Sequence, residues 1–383
     1  MRKATIRDIA ARTGFSISTV SKALHNHACI AAGTRRKIQE AARQLRYQPN
    51  RAARGLRGCQ THCVGVLMPG FQNQFYVDFF TSVERSLAHQ GYSALLVLAR
   101  LRGQAELDLV DEMLGRGVDG LVIGSLLGLR ARKRIEELVH RRFPVVSYPD
   151  FLGIEGMDVV DTPDVEGAAA LTRHLLELGH RRIALVTPCL RDFRYEGYRR
   201  ALEEFGVPFD SGLHVQWWSE PKPTAPPRLR IRSVREPPAE PDVFHQFWRD
   251  REEVACLRRH LLAIPDPPTA IFAYQDDMAM AMMHDLRENG YRVPGDISIV
   301  GVNDVPQAVY VGLTTLRLPT REIGQAVAEL LVGRIGDPSR PARRGDFHGE
   351  VVLRSSAAAP GEIGTNGDRS VLDETEELLS RVI

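Results

Sequence analysis

Residues 14–26 read GFSISTVSKALHN, a tight turn followed by the first turns of a helix. Gly14 favours the left-handed conformation that ends a preceding helix, and Ser16 can cap the next helix through its hydroxyl oxygen. The apolar residues at inward-facing helical spacing are Val20, Ala23 and Leu24. The outward positions of the first turn hold residues of modest helix propensity, Ile17, Ser18 and Thr19. This pattern indicates a helix whose exposed surface matters more than its own stability.

Two further helices are predicted within the first 46 residues. Thr5 and Asp8 have capping-box spacing for a first helix, and Thr34 is expected to cap a third over residues 35–46. The expected inward residues of the third helix are Ile38, Ala41, Ala42 and Leu45. Two helices joined by a Gly-containing turn and supported by a third form the helix-turn-helix plan. We therefore predict a small all-α DNA-binding headpiece over residues 1–48.

Charge is distributed unevenly along the chain. Residues 1–62 hold thirteen Lys and Arg but only two acidic residues, a net charge of +11. Because the whole chain carries +2, the remainder carries −9. A basic N-terminal part on an acidic body is typical of a nucleic-acid-binding module joined to a domain that does not touch the polyanion.

In the helix-turn-helix plan, the start of the second helix faces the major groove of DNA. Ile17, Ser18 and Lys22 then point towards the bases, whereas neighbouring hydroxyls and the helix N-terminus face phosphates. The candidate DNA-binding residues of the headpiece are Thr5, Ser16, Ile17, Ser18, Thr19, Ser21 and Lys22. Ile17 and Ser18 offer less bidentate hydrogen bonding than Arg, Asn or Gln, so apolar contact with thymine methyl groups is expected to contribute to specificity.

Residues 49–62 are predicted to be a hinge helix and linker. Pro49 ends the preceding helix, and Asn50 can cap a short new one that is too short to be stable alone. Leu56 is a large apolar residue among arginines, which fits a wedge inserted into a minor-groove step once the helix folds on DNA. The candidate DNA-binding residues here are Asn50, Arg51, Arg54 and Leu56.

The segments TIRDIAARTGFSISTVSKALHN (residues 5–26) and TRRKIQEAARQLRYQPNRAARGL (residues 34–56) resemble the headpiece and hinge of the LacI/GalR family of bacterial transcription regulators. The resemblance implies a homodimer that places two headpieces on a pseudo-palindromic operator in double-stranded DNA. It also implies base-reading roles for Ile17, Ser18 and Lys22 and an intercalating role for Leu56.

The rest of the chain alternates short apolar runs with helical patterns, which predicts parallel strands covered on both faces. The runs are CVGVLMP (63–69), SALLVLA (93–99), DGLVIGS (119–125), PVVSYP (144–149), IALVTP (183–188), TAIFAY (269–274) and ISIVGV (297–302). Seven runs favour two doubly wound α/β lobes over residues 63–358, and the family resemblance implies that this domain binds the effector and dimerises. The second series is expected to begin near residues 159–167.

Three segments extend the family resemblance into this body: HLLELGHRRIALV (174–186), RYEGYRRAL (194–202) and LRENGYRVPGDISIVGVNDV (286–305). The resemblance implies a periplasmic-binding-protein-like fold with a ligand between the lobes. Ligands of open α/β sheets lie beyond the carboxyl ends of the strands, which agrees with that expectation. The candidate effector-binding residues are Asn73, Phe75, Tyr76, Ser125, Arg194, Trp218, Gln275, Asp276 and Asn303.

Several positions depart from the family pattern for sugar binding. Pro149 precedes Asp150 where a carboxylate is usual, Gln275 replaces an Asn, Asn303 replaces an Asp, and Leu318 replaces a Gln. Carboxylates and amides accept hydrogen bonds from sugar hydroxyls, so these departures weaken the assignment of a plain hexose. The expected effector is a small molecule, with carbohydrates as one class.

Two segments fall outside these patterns. The Pro-rich stretch 219–242 is interpreted as a surface insertion in preference to a partner-binding segment. The tail 359–383 can form a short C-terminal helix, but fewer than two heptads are available for a coiled coil. The sequence therefore leaves dimer and tetramer open.

Composition and missing motifs exclude other classes. No run of about 18 apolar residues and no signal-peptide pattern occur, and five scattered cysteines make a poor disulfide framework. We expect a bacterial cytoplasmic protein that associates with the nucleoid when bound to DNA, without membrane contact. No cofactor, metal site or enzymatic activity is expected, because the phosphate-binding, hydrolase and zinc-protease motifs are missing. The alternatives are a solute receptor of the same fold, which would carry a signal peptide, and a recombinase, which would need catalytic residues in the body.

Overall fold

The structure is a computed structural model. The chain forms two compact units, residues 1–61 and residues 62–383. It describes residues 4–24, 27, 29–45, 47, 60–71, 73–99, 104–124, 129–150, 152–162, 165–187, 193–216 and 251–361. Six candidate site residues lie outside the described residues: Asn50, Arg51, Arg54, Leu56, Ser125 and Trp218. So do the insertion 219–242 and most of the predicted hinge and tail.

The first unit contains the three predicted helices, α1 Ile6–Thr13, α2 Ile17–Leu24 and α3 Ala32–Gln44. Side chains from all three meet in one core, in which Ile9, Val20 and Ile38 are fully buried. The apolar residues at helical spacing thus pack together as the core of the headpiece, as the sequence pattern predicts. The prediction that Thr34 caps α3 is wrong. The helix begins at Ala32, because the Arg35 N–H already donates to the Ala31 carbonyl at 3.0 Å.

The turn between α1 and α2 forms as expected. Gly14 has φ 76°, and its N–H donates to the Ala10 carbonyl at 2.9 Å, which ends α1. Ser16 Oγ accepts from the Thr19 N–H at 3.1 Å and caps α2. At the start of α1, the Asp8 carboxylate accepts from the Thr5 N–H and hydroxyl, both at 2.7 Å.

The second unit is an α/β body with two six-stranded sheets among the described residues. Its strands are β1 Cys63–Met68, β2 Ser93–Leu98, β3 Gly120–Ile123, β4 Val145–Ser147, β5 Asp158–Asp161, β6 Ile183–Thr187, β7 His214–Gln216, β8 Ala270–Ala273, β9 Ser298–Asn303, β10 Thr314–Arg317, β11 Arg344–Asp346 and β12 Glu350–Val352. Its helices are α4 Gln74–His89, α5 Gln104–Gly115, α6 Leu129–His140, α7 Val165–Glu177, α8 Phe193–Glu204, α9 Arg251–Leu262, α10 Asp276–Glu288, α11 Pro306–Tyr310 and α12 Thr320–Gly336, with a 3₁₀ turn at Ser211–Leu213.

The sheet of lobe 1 has the order β11-β5-β4-β3-β1-β2 and is parallel throughout. The sheet of lobe 2 has the order β12-β10-β9-β8-β6-β7, and only the β10–β12 pair is antiparallel. Each sheet has a buried apolar cluster on both faces. This double covering explains why the strands are apolar runs without alternation.

Within the described residues, the chain passes between the lobes three times. It leaves lobe 1 after β5, returns between β10 and α12, and crosses again between β11 and β12. Helix α12 packs against α4 and against β3, β4 and β5, so it belongs to lobe 1 although it follows the strands of lobe 2. In the part of the chain that the structure describes, no helix combines the length and apolar character that a membrane span needs.

Candidate functional site

The exposed face of α2 carries the predicted base-reading residues. Ile17 is 48% exposed although it is a large apolar residue, and Ser18 and Lys22 are exposed beside it. Val20 and Ala23 on the opposite face are fully buried. The helix therefore presents one apolar side chain, one hydroxyl and one cation outward while its inner face is held by the core. Such a combination can contact thymine methyl groups, base edges and phosphates.

The other predicted headpiece contacts lie at helix starts. Thr5 and Ser16 are exposed, while Thr19 and Ser21 are half-buried. Ser16 and Thr19 lie at the N-terminus of α2, where free backbone N–H groups favour the binding of anions. Their hydroxyl oxygens are 2.9 Å apart, so both can face the same phosphate.

In the body, three lobe 1 candidates lie at the start of α4, just beyond the carboxyl end of β1. Asn73 is only 2% exposed, and its Oδ1 accepts from the Phe75 N–H at 2.8 Å, which caps the helix. Phe75 contacts apolar clusters of both lobes. The candidates on this helix therefore lie where the two lobes meet.

Lobe 2 contributes Gln275 and Arg194 to the same place. Asn73 Nδ2 donates to Gln275 Oε1 at 2.5 Å, and Gln275 is 8% exposed. Arg194 is 7% exposed, and its guanidinium lies 4.3 Å from the centre of the Tyr274 ring. The structure thus brings residues from three separate parts of the sequence together between the lobes.

Tyr76 faces the charge of Arg194 in this cluster. Burial raises the pKa of Tyr76 to about 12, and the positive charge of Arg194 opposes that rise. The Tyr76 hydroxyl therefore stays protonated at neutral pH and can donate a hydrogen bond.

Helix α8, which carries Arg194, is held close to α7. A Cβ at Gly197 would lie 2.2 Å from the Val165 carbonyl oxygen, so only glycine permits this approach. The close packing fixes where Arg194 projects from the start of α8.

Asp276 is fully buried inside lobe 2. Its Oδ1 accepts from the Thr315 hydroxyl at 2.5 Å, and its Oδ2 accepts from the Val305 N–H at 2.9 Å. Both oxygens are thereby used to tie α10 to β10 and to the segment after β9. In this arrangement Asp276 positions the neighbouring Gln275 and has no exposed surface for a ligand.

Asn303 ends β9 with φ 115°, a left-handed conformation that is strained for a residue other than glycine. Asp304 follows with φ 53°, and its carboxylate accepts from Arg317 at 2.7 Å and Arg354 at 2.6 Å. Asn303 is half-buried at the carboxyl end of β9, and its neighbour Asp304 is held by two arginines.

Two departures from the family pattern have structural explanations. Asp150 accepts from Arg344 at 2.9 Å, and Arg344 also binds Asp161 at 2.5 Å, so this carboxylate is ion-paired within lobe 1. Leu318 is 6% exposed and packs in the apolar cluster of lobe 2.

Sequence reasoning missed Tyr274 and the network around His214. Tyr274 directly follows β8, so the rule that used Gln275 could have found it. His214 is 3% exposed, its Nε2 lies 2.9 Å from Thr187 Oγ1, and its ring stacks on Tyr195 at 4.6 Å. Burial lowers the pKa of His214 to about 4, which keeps the ring neutral. No local pattern marks β7, in which it lies. Among the described residues, no group of three or more His, Cys, Asp and Glu could hold a metal ion.

The sequence matches three family descriptions in succession. "Bacterial regulatory proteins, lacI family" matches residues 5–50, and "Periplasmic binding proteins and sugar binding domain of LacI family" matches residues 61–217. "Periplasmic binding protein-like domain" matches residues 172–357. The chain belongs to the LacI family. This LacI-family protein is thus a transcriptional regulator with a helix-turn-helix headpiece and a two-lobed body.

Relatives of this LacI-family chain agree with that assignment over nearly its whole length. It is 28% identical to the HTH-type transcriptional repressor PurR of Vibrio atlanticus (strain LGP32), over 92% of this chain and 98% of the relative. Among solved structures, it is similar to a complex of the transcriptional regulator CelR with cellobiose, at 26% identity and a TM-score of 0.63, covering 92% of this chain and 100% of the other. The lac repressor dimer bound to operator and an anti-inducer shares the fold at 22% identity and a TM-score of 0.74, covering 94% and 100%.

Proposed function

We propose that this regulator is a repressor that binds a pseudo-palindromic operator as a homodimer and responds to a small-molecule effector bound between its lobes. It acts in the bacterial cytoplasm and has no enzymatic activity or cofactor. The single observation that carries this proposal is the outward face of α2, where Ile17 is 48% exposed while Val20 and Ala23 on the inner face are completely buried. Ile17 lies in the first turn of the second helix, which the helix-turn-helix plan places in the major groove, where an apolar side chain can contact a thymine methyl group.

Specific recognition is assigned to Ile17, Ser18 and Lys22, with phosphate contacts from the hydroxyls of Thr5, Ser16, Thr19 and Ser21. The hinge contributes Asn50, Arg51, Arg54 and Leu56. Base contacts specify a sequence, whereas phosphate contacts position the protein and make binding salt-dependent.

The effector is assigned to the place between the lobes where Asn73, Phe75, Tyr76, Arg194 and Gln275 meet. Asn303, Ser125 and Trp218 complete the proposed site, and Asp276 supports it from beneath. Hydroxyl, amide and guanidinium groups beside aromatic rings fit a polyhydroxylated molecule. The match to a sugar-binding domain description and the cellobiose bound by the similar regulator CelR support a carbohydrate.

A homodimer is supported by three exposed large apolar side chains of lobe 2, Val309, Tyr310 and Leu353, which are 58%, 88% and 60% exposed. The similar lac repressor structure is a dimer on its operator.

The test is selection of operator fragments from a genomic DNA library with the purified full-length chain, followed by footprinting. We expect a protected pseudo-palindrome whose affinity falls steeply with salt, because several phosphates are neutralised. Leu56→Ala should weaken binding to that site far more than binding to random DNA. Random recovery of fragments, or salt-independent binding, would contradict the proposed function.

The effector assignment is tested on the same operator. Arg194→Ala should leave operator binding and folding intact but remove the response to sugars that shift wild-type binding. A variant that still responds would contradict the role of Arg194.

A further inference from the structure

We propose that the hydrogen bond between Asn73 and Gln275 is a latch between the lobes, which directly favours their closed arrangement. The bond joins the start of α4 in lobe 1 to the start of α10 in lobe 2, and the two residues are 202 positions apart. The latch is a property of the body alone. Its consequence for regulation rests on the proposed function.

The orientation of the Asn73 amide is set by the helix that it caps. Because Oδ1 accepts from the Phe75 N–H at 2.8 Å, Nδ2 must point away from the helix backbone. This nitrogen then donates to Gln275 Oε1 at 2.5 Å. The cap therefore turns a lobe 1 donor towards lobe 2, and the bond does not depend on an arbitrary choice of amide orientation.

Gln275 has the length and freedom that the bond requires. Its backbone stands at the start of α10, but its side chain makes no capping hydrogen bond there. The helix start is instead held by Asp276, whose two oxygens bind Thr315 and Val305. The Gln275 side chain is thus free to extend across to Asn73. An Asn, shorter by one methylene, would not span the same gap from the same backbone position.

Burial of both side chains makes the hydrogen bond between Asn73 and Gln275 costly to break. Asn73 is 2% and Gln275 is 8% exposed, so water cannot easily replace either partner while the lobes are in contact. Breaking the bond without separating the lobes would leave a buried amide donor and acceptor unsatisfied. Phe75, two residues from Asn73, packs in apolar clusters of both lobes and reinforces the same contact.

The latch also gives Gln275 a part in regulation. An effector group that binds Asn73 Nδ2 or Gln275 Oε1 must replace their mutual bond, so ligand and latch compete for the same atoms. If operator affinity depends on the arrangement of the lobes, altering the latch shifts that affinity even without effector.

The latch is tested by measuring the distance between the lobes in the full-length chain. Nitroxides are attached through azide-bearing residues at the exposed positions Ala88 in lobe 1 and Glu288 in lobe 2, and distances are measured by pulsed electron paramagnetic resonance. Gln275→Met, which keeps the length but removes the acceptor, should shift the population from short to long distances by about tenfold. Gln325→Met removes a comparable amide donor from the surface of α12, where Gln325 donates to Glu329 at 2.7 Å, and should change nothing.

Variants that introduce carboxylates at these two positions distinguish a direct contact between Asn73 and Gln275 from a general loss of structure. Gln275→Glu keeps an acceptor for the Asn73 amide, and Asn73→Asp keeps the cap while a rotated Gln275 amide can donate to it. Each single variant should therefore keep the wild-type distance distribution. At a pH high enough to ionise both groups, the double variant places two carboxylates against each other and should open the lobes more than Gln275→Met does.

Unchanged distances in Gln275→Met, or equal effects of the two single variants and the double variant, would overturn the latch. Melting temperatures taken alongside identify any variant that fails to fold. If distances respond but operator affinity does not, the regulatory consequence is overturned while the latch stands. Failure of the wild-type chain to bind any operator would instead count against the proposed function, because the distance measurement does not involve DNA.

Discussion

Asp158 of β5 and Arg334 of α12 form a bidentate ion pair, with hydrogen bonds of 2.9 and 3.0 Å, although 176 positions separate them. Arg340 adds two bonds to the same carboxylate, at 2.7 and 3.1 Å, and the Arg343 N–H adds another at 2.8 Å. Asp158 is fully buried. This cluster fastens the returning part of the chain, from α12 to β11, onto lobe 1.

Replacing Asp158 by Ala should therefore lower the free energy of unfolding by about 3–5 kcal/mol, because two buried guanidinium groups lose their counter-ion. Urea denaturation of the full-length chain measures the loss. As a matched control, Glu252→Gln breaks the exposed Arg259–Glu252 pair and should cost less than about 1 kcal/mol. Equal, small losses in both variants would contradict a structural role for the cluster.

The contributions of Asp276 and His214 to the free energy of unfolding should depend on pH in opposite directions. Burial raises the pKa of Asp276 to about 6, so the folded state gains stability as the pH falls through 6 towards the ordinary 3.8. Burial lowers the pKa of His214 to about 4, so its contribution is complete above 6.5 and is lost as the pH falls towards 4. Each effect amounts to about 3 kcal/mol, and the two offset each other.

Asp276→Asn removes the titrating carboxyl group, so the gain in stability at low pH is lost. The Asn side chain can still accept a hydrogen bond from the Val305 N–H and donate one to the Thr315 hydroxyl. Its melting temperature should fall more steeply than that of the wild type between pH 6.5 and 4, as His214 becomes charged. Calorimetric scans at several pH values test this. Parallel curves for the two proteins would show that Asp276 has no raised pKa.

Ser16→Ala should destabilise α2 by about 1 kcal/mol, because the Thr19 N–H loses the hydroxyl that caps it. Hydrogen exchange of the α2 amides should accelerate several-fold. Ser18→Ala is the matched control, since Ser18 is exposed and does not cap the helix. Similar exchange in both variants would remove the capping role.

Ile17→Ala should reduce affinity for the selected operator by about 1–3 kcal/mol while leaving binding to random DNA and its salt dependence unchanged, because the side chain is exposed and uncharged. Competitive titration with both DNAs checks this. Val20→Ala, in the core, should instead lower the stability of the headpiece. A uniform loss on both DNAs would count against base reading by Ile17.

Tyr310→Asp should convert a dimer into monomers, because a charge placed at this exposed apolar position of lobe 2 would be buried between copies. Sedimentation velocity measures the association state, and operator affinity should fall with it. Phe205→Asp alters another partly exposed aromatic residue of lobe 2 and should leave the dimer intact. A dimer that survives Tyr310→Asp would show that another surface joins the subunits.

The seven strands that the apolar runs predict are all present, because a strand buried on both faces must be apolar along its length. The runs give no sign of β5, β7, β10, β11 and β12, which have three or four residues each. Strand β11 reads Arg-Gly-Asp and has an exposed or half-buried pattern. It is a strand only because the chain returns to lobe 1 and pairs there with β5.

The candidate site also combines features that the sequence predicted with features that only the folded structure shows. The rule that ligands bind at the carboxyl ends of parallel strands selected Asn73, Tyr76, Arg194 and Gln275, which the structure brings together. The rule could not distinguish Gln275, which reaches across to lobe 1, from its neighbour Asp276, which turns into the core of lobe 2. That choice depends on where Thr315 and Val305 lie in the folded lobe.

The sequence by itself determined the local features of this protein: the three helices of the headpiece, the Gly14 turn, the Ser16 cap and the strands with continuous apolar runs. These follow from interactions between residues a few positions apart, which spacing and residue type control. Only the tertiary structure decided that the described part of the chain crosses three times between the lobes, that Asp158 binds Arg334 and Arg340, and that Asn73 bonds to Gln275. Those contacts join residues up to 202 positions apart, so their geometry exists only when both sheets have formed.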